Sequence, residues 1–292
     1  LETYAYPQIG DLSVRDIETA HIVGLLEPIW TTKTETATRV RQRIEAVLSY
    51  AKAVGWRDGE NPARWRGHLD QTLPEPGRVR PVEHYPALPY AQMPALMQTL
   101  AARGGMAALA LRFIALTAVR SGEARKARWR EFDLEGAVWT IPAERMKGPK
   151  GKRKEQRVPL SPPTLAILES LRPLAGDDDA LVFPGQKRGE PLSDMSILAV
   201  LRRLELKDKN NHALTVHGLR STFRDWAAEQ TNFPRELAEK ALAHSVKNEV
   251  EAAYQRGDLF AKRRKLMDAW AAFATKGQPT GNVLDFKKRK RA

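Results

Sequence analysis

The sequence contains no cysteine, and that absence removes disulfides, thiol nucleophiles and thiolate metal sites together. Long apolar runs are also missing: none approaches the roughly 18 residues that a membrane span requires, so no membrane partner is expected. Nothing resembles a signal peptide, which fits a cytoplasmic protein. No Gly-rich phosphate loop of Walker form appears, so ATP is not implied, and no HExxH or spaced carboxylate pattern suggests a metal. The successive aspartates Asp177, Asp178 and Asp179 point in different directions and read as a solvated turn. The chain opens on Leu1 in place of Met, so a piece of a longer protein is expected.

Acidic residues are outnumbered. The chain has 48 Lys and Arg against 35 Asp and Glu, a formal net charge of +13 and a sequence pI near 10.0, which makes nucleic acid the leading partner. Its 292 residues suffice for two domains of ordinary size. From Ser13 to Trp56 the reading is helical: DIETAHIVGLLEPIW is one amphipathic segment, and Val40, Ile44, Val47, Leu48, Ala51 and Val54 mark the buried stripe of another. Lys33, Arg39, Arg41 and Arg43 decorate the start of that second helix. Between Asp70 and Tyr90, Pro74, Pro76, Pro81, Pro86 and Pro89 oppose any helix and favour an extended connector. The expected division is a helical domain over 1–75, a linker over 76–90, a second domain over 91–275 and a basic tail over 276–292.

In the second domain AQMPALMQTLAAR and GGMAALALRFIALTAV read as helices, the latter apolar on nearly every side and therefore the central one. It is expected to run to Arg120, where Ser121 and Gly122 break it before EARKARW resumes. Such a break can hold Arg120 at the floor of a cleft, with Glu123 either pairing with it or stabilising a helix N-terminus. AVWTIP and QRVPL are strands of a hairpin whose long tip carries Lys147, Lys150, Lys152 and Lys154. Helices follow through TLAILESL, opened by Ser161 and Pro162, and through SDMSILAVLRRL. DLFAKRRKLMDAWAAF is an amphipathic helix that can cover the core. The fold class is mainly α with a small β-sheet.

The stretch HALTVHGLRSTFRDWAAEQTNFPRELAEKALAHSVKNEVEAAY supplies His217, Arg220, His244 and Tyr254 in order. His217 and Arg220 lie on one face of a helix start and can address one anion together. The set suits phosphoryl transfer. In-line attack on a phosphodiester spreads negative charge over its oxygens, so fixed positive charge and positioning do most of the work. Arginine is always charged and forked, and tyrosine can be the nucleophile when nearby cations favour its phenolate.

TAVRSGE with Arg120, HGLR with His217 and Arg220, LAH with His244 and AAY with Tyr254 together resemble the ordered boxes of the tyrosine recombinases. Within that family RVRQRIEAVLSYA, NPARW, IPAERMK and VPLS resemble phage and genomic-island integrases of the P4 type. The resemblance implies a helical core-binding domain followed by a mixed α/β catalytic domain, and a site-specific recombinase that integrates or excises a mobile element. It further implies that Tyr254 attacks the scissile phosphate, Arg120 and Arg220 hold its nonbridging oxygens, His217 is the base, His244 hydrogen-bonds the phosphate and Lys147 is the general acid. Neither metal nor cofactor is implied. As a group Lys33, Arg39, Arg41 and Arg43 resemble the DNA-facing side of an integrase core-binding domain, although each alone could belong to a solvated charged face, and Lys150 and Lys152 on the basic hairpin tip read as nonspecific DNA-backbone contacts. The implied partners are double-stranded DNA attachment sites and three further protomers in a homotetramer, with an accessory DNA-bending or directionality factor left open, in the bacterial cytoplasm and at the nucleoid when bound. Relatives often carry a further N-terminal arm-binding domain, to which nothing here corresponds. In relatives a C-terminal segment docks on the neighbouring protomer; Val283 to Phe286 could do this, or the tail could simply bind nucleic acid. A type IB topoisomerase-like strand transferase and a noncatalytic DNA-binding protein are the alternatives.

Overall fold

A computed structural model describes residues 1–79, 85–148, 151, 153–244 and 257–276. The chain divides into two compact units, Leu1–His84 and Tyr85–Ala292.

In the first unit the main helices are α2 (Thr19–Trp30) and α3 (Thr34–Ala53), preceded by one short turn of helix, α1 (Tyr6–Ile9). Helix does not begin at Ser13: α2 starts where the Glu18 amide donates to His21 Nδ1 at 3.0 Å, and residues 31–33 separate it from α3. Trp30 anchors this core. It is 1% exposed, stacks on Trp65 at 5.5 Å and donates its indole N–H to the Pro74 carbonyl at 2.8 Å.

The buried stripe of α3 differs from the expected one. Ala37, Val40, Arg41, Ile44, Leu48 and Ala51 are buried, while Val47 and Val54 are exposed. At about 100° per residue the buried arc is centred on Ala37, Ile44 and Leu48; Val47 and Val54 fall beyond one edge and Arg41 falls inside. Arg41, expected to face DNA, is thus withdrawn from solvent. Its guanidinium donates to Glu45 at 2.6 Å and to the Ala63 carbonyl at 2.7 Å, and lies over the Trp65 ring. The proline-rich connector also departs from expectation, because Pro76–Val79 forms a helical turn, α4. Pro76 stands first in it, where proline's missing N–H costs nothing.

The second unit is built on α6 (Met106–Thr117), beside α5 (Met93–Ala102). Ala110, Leu111, Phe113, Ile114, Ala115 and Leu116 are all at most 1% exposed, as its apolar surface requires. The Phe113 ring meets Trp139 at 5.4 Å and Phe183 at 5.3 Å, tying the helix to the sheet. That sheet has three antiparallel strands in the order β1 (Phe132–Asp133), β2 (Val138–Ile141), β3 (Gln156–Pro159), with Trp139 opposite Val158. Then follow α8 (Pro162–Leu171), α9 (Asp194–Arg203), α10 (Gly218–Glu229), α11 (Arg235–Ala241) and a helix over Phe260–Lys276. This last helix covers the core as expected: Trp270 donates to the Ala115 carbonyl at 2.8 Å and packs on Phe223 and Trp226.

The turn after α6 is a correction. Ser121 and Gly122 do not break a helix; they begin a new one, α7 (Ser121–Arg125), and the break is at Ala118, whose φ of 52° is left-handed. EARKARW is helical only as far as Arg125, and Trp129–Glu131 is a separate 3-10 turn. Contrary to expectation, Ser161 precedes α8 without capping it through its side chain; its hydroxyl meets that of Thr164 at 2.9 Å and accepts no helix N–H.

Candidate active site

Arg120 is the residue just before α7, and its position is set from two sides. Glu123 accepts the Arg120 backbone N–H at 2.8 Å with one oxygen and the guanidinium at 2.7 Å with the other, so the two roles open to Glu123 are both filled. The other guanidinium nitrogen donates to the Ala243 carbonyl at 3.1 Å. Behind this turn Arg145 donates to the Glu123 carbonyl and to both carboxylate oxygens of Glu131, which also accepts the Trp139 indole N–H at 2.9 Å. The sheet thereby holds the Arg120 turn.

Lys147 lies two residues after Arg145. It is not at a strand end, since β2 stops at Ile141 and a 3-10 turn over Ala143–Arg145 intervenes. Arg153 braces the segment by donating to the Gly148 carbonyl at 2.7 Å and the Glu144 carbonyl at 3.1 Å. The Lys147 side chain is exposed, and among the described residues its ammonium has no hydrogen-bond or ion-pair partner. Lys150 and Lys152 lie outside the described residues.

His217 and Gly218 form the start of α10. The Gly218 N–H donates to the Thr215 hydroxyl at 2.9 Å, and the His217 ring meets Tyr85 at 4.4 Å. Arg220, one turn in, is 4% exposed. Its guanidinium donates to the Ala118 carbonyl, exposed by the left-handed end of α6, and to the Leu242 carbonyl at 2.6 Å, and lies 3.3 Å from His244 Nε2. Its Nε is buried and unpartnered among the described residues. Burial, with the charge of Arg120 second, brings its pKa down to about 10, so it remains charged at neutral pH. The His217 imidazole is held below its ordinary value by burial first, then by Arg220, Arg120, His244 and Lys147. His244 follows α11, with Nδ1 at 2.7 Å from Glu239.

Arg120, Arg220 and His244 therefore converge on the short stretch 242–244, with His217 close enough to feel their charge and that of Lys147. Such a cluster suits an anion. Tyr254 lies outside the described residues. Among those described, Lys240 at the end of α11 donates to the Gly257 carbonyl at 2.7 Å. Arg263, 3% exposed, holds Asp258 beyond that point.

On the first unit Lys33, Arg39 and Arg43 are exposed; Lys33 sits by the Tyr4 ring and Arg39 pairs with Glu35. Among the described residues no group of His, Asp and Glu is arranged to hold a metal. Asp178 and Asp179 instead receive Arg172 and Arg130 at the surface. No helix of the described residues is long and apolar enough to cross a membrane.

Sequence reasoning passed over Arg145, Glu131, Arg224 and Glu239. Arg224 had a signal, four residues after Arg220 on the same helix face. Glu239 had none, because α11 ends between it and His244.

Mostly helical units with a three-stranded sheet are the build of the integrase fold: lambda integrase, in a crystal structure of its dimer bound to a COC' core site, superposes with a TM-score of 0.57 at 17% identity, over 82% of this chain and 83% of that one. The Tn1549 transposon integrase, in complex with a circular intermediate DNA, gives 0.56 at 12% identity over 83% and 86%. Residues 1–68 match the phage integrase central domain and residues 87–258 the phage integrase family. The chain belongs to the phage integrase family of tyrosine recombinases. It is 33% identical to prophage integrase IntA of Escherichia coli over 97% of its length, and 32% identical to the integrase of Enterobacteria phage P4 over 93%. It spans 65% and 62% of those relatives' own lengths.

Proposed function

We propose that the protein is a site-specific DNA recombinase that cuts and rejoins strands through a 3′-phosphotyrosyl intermediate, integrating or excising a mobile element. The observation that carries this reading is the convergence of Arg120, Arg220 and His244 on one turn, with a buried arginine Nε left unpartnered among the described residues. The two guanidiniums hold the nonbridging oxygens of the scissile phosphate and His244 hydrogen-bonds one of them. The Tyr254 phenol oxygen attacks phosphorus as its proton passes to His217. The bond to the 5′ oxygen breaks, and Lys147 protonates that leaving group. Burial and the surrounding cations keep His217 neutral, as a base must be. Attack by the 5′ hydroxyl of a partner strand reverses the step, so the energy of the phosphodiester is conserved.

In this reading residues 1–75 are a core-type DNA-binding domain, 76–90 a linker, 91–275 the catalytic domain and 276–292 a basic tail. Lys33, Arg39 and Arg43 contact the DNA backbone from the first and Lys150 and Lys152 from the second, whereas the buried Arg41 shapes its own domain. Double-stranded attachment sites are the substrate and four protomers assemble on two duplexes. The net charge of +13 and the matched structures of integrases with DNA support this assignment.

The test is Tyr254→Phe, which deletes one hydroxyl. With nicked DNA carrying the element's junction, the short 5′-hydroxyl fragment diffuses away and wild-type protein should accumulate as a denaturant-stable adduct that maps to Tyr254. The variant should bind DNA with little change and form none. An adduct that persists in the variant, or cleavage that needs a divalent metal and leaves no adduct, overturns the tyrosine mechanism.

A further inference from the structure

His244 has a partner on each ring nitrogen, and the two partners differ in what they can do. Nδ1 lies 2.7 Å from Glu239 Oε2, and Nε2 lies 3.3 Å from an Arg220 guanidinium nitrogen. The other Glu239 oxygen accepts Arg224 Nε at 2.7 Å, with Arg235 farther away at 3.6 Å. Burial would raise the Glu239 carboxyl, but the hydrogen bonds from Arg224 and His244 outweigh it and hold it below the usual range. Glu239 is thus an ionised carboxylate, which only accepts, and Arg220 only donates. Nδ1 must carry the proton and Nε2 must offer its lone pair.

We infer that Glu239 is a positioning residue: backed by Arg224, it fixes His244 as the Nδ1–H tautomer and aims Nε2 at the anion site. This rests on the proposed function only for the identity of the anion as a DNA phosphate. A phosphate oxygen accepts hydrogen bonds, so contact through Nε2 needs a proton there. With the Glu239 carboxylate at Nδ1 the ring can carry a proton on both nitrogens, the second supplied by solvent. The charged and titratable groups around the ring are Arg220 and Arg224 on α10, Glu239 and Arg235 on α11, and Arg120 and His217 at the starts of α7 and α10. The anion adds the negative charge that offsets the arginines. Arg220 and Arg224, one turn apart on α10, thereby serve His244 from opposite sides, the first at Nε2 and the second through Glu239.

The test has two readouts. Long-range 1H–15N spectra of the full chain without DNA, with the His244 signals assigned through His244→Gln, should show Nδ1–H and a bare Nε2. Glu239→Gln has one acceptor oxygen for two donors, so the tautomers should mix. Wild-type protein with the proton on Nε2, or an unchanged tautomer in Glu239→Gln, overturns the inference whether or not the protein cuts DNA.

The second readout is single-turnover cleavage of junction DNA. Glu239→Gln should slow it about 10- to 100-fold, the size of effect seen when the carboxylate behind a metal-bound histidine is lost. It should cost nothing further in a His244→Ala background. An equal loss in both backgrounds would make Glu239 merely structural and overturn the inference. A wild-type protein that cuts nothing refutes the recombinase reading, while the spectra still decide the role of Glu239.

Discussion

A Cβ on Gly218 would stand 1.9 Å from the carbonyl oxygen of Pro86. The chain entering the second unit crosses the N-terminus of α10 at a distance that only glycine allows. The crossing is fastened on both sides: Thr215 donates its N–H to the same Pro86 carbonyl at 3.3 Å, and Thr222 donates its hydroxyl to the Leu88 carbonyl at 2.7 Å. Tyr85, just before it, packs on His217.

Gly218→Ala should therefore damage both stability and chemistry. The obstacle is backbone, which cannot rotate away, so a cost of about 1–3 kcal/mol is expected, with Tm falling by at least a few degrees. Cleavage should fall more than DNA affinity, because the displaced element carries His217. Gly24→Ala is the comparison: nothing lies within 4 Å of its added Cβ in helix α2, so Tm should hold or rise. Equal melting curves for the two variants would contradict the close approach.

Lys147 should separate from its neighbours on the hairpin. Lys147→Ala should slow cleavage far more than it weakens binding, whereas Lys150→Ala and Lys152→Ala should weaken binding and reduce the salt slope by about one each. A substrate with a 5′-bridging sulfur needs no protonated leaving group, so it should rescue Lys147→Ala. Failure to rescue removes the acid assignment.

The depressed proton affinity of His217 has a definite sign. Its charged form is disfavoured in the fold, so the unfolded chain binds the proton at higher pH. Stability is then lost as pH falls below about 6.5 toward the lower folded value. Denaturant titrations from pH 7 to 5 should show this slope, shallower in His217→Gln. The acid limb of the pH dependence of second-order cleavage, which reports the free protein, should also lie below about 6.5. A limb well above that value would mean another group is the base.

Arg145 should matter to stability where a surface arginine does not. Arg145→Met leaves Glu131, whose side chain is 4% exposed, without its cation, and should cost about 3 kcal/mol. Arg39→Met breaks a pair with side chains 66% and 73% exposed and should cost less than about 1 kcal/mol. Arg145→Met should also slow cleavage, since the same guanidinium holds the Glu123 carbonyl behind Arg120. Indistinguishable denaturation midpoints for the two variants would overturn this reading of the network.

Much of the fold was legible in advance because it is local. The apolar surface of α6, the alternation in β2, and the serine-started α9, where Ser193 accepts the Ser196 N–H at 3.0 Å, all follow from residues a few positions apart. The errors fell where neighbours in space decide. Arg41 looks like one more cation on a basic helix; it falls inside the buried arc of α3, where the Ala63 carbonyl and the Trp65 ring, more than 20 residues along the chain, receive it. The end of α6 was misplaced by a few residues because a left-handed alanine at 118 carries no signature comparable to a glycine.

The sequence by itself determined the class of protein: the ordered Arg120, His217, Arg220, His244 and Tyr254 boxes, the helical periodicities and the excess of positive charge all reside in residue identity and short spacing. Tertiary structure alone decided how those residues are held. Arg220 meets the Ala118 carbonyl across 102 positions and Arg120 meets the Ala243 carbonyl across 123, and no local period encodes such pairings. Glu239 lies only five residues before His244, yet past the end of α11 no helical period pairs them. A carboxylate's role depends on which donors surround it, and here Arg224 is brought to it only when α10 packs against α11.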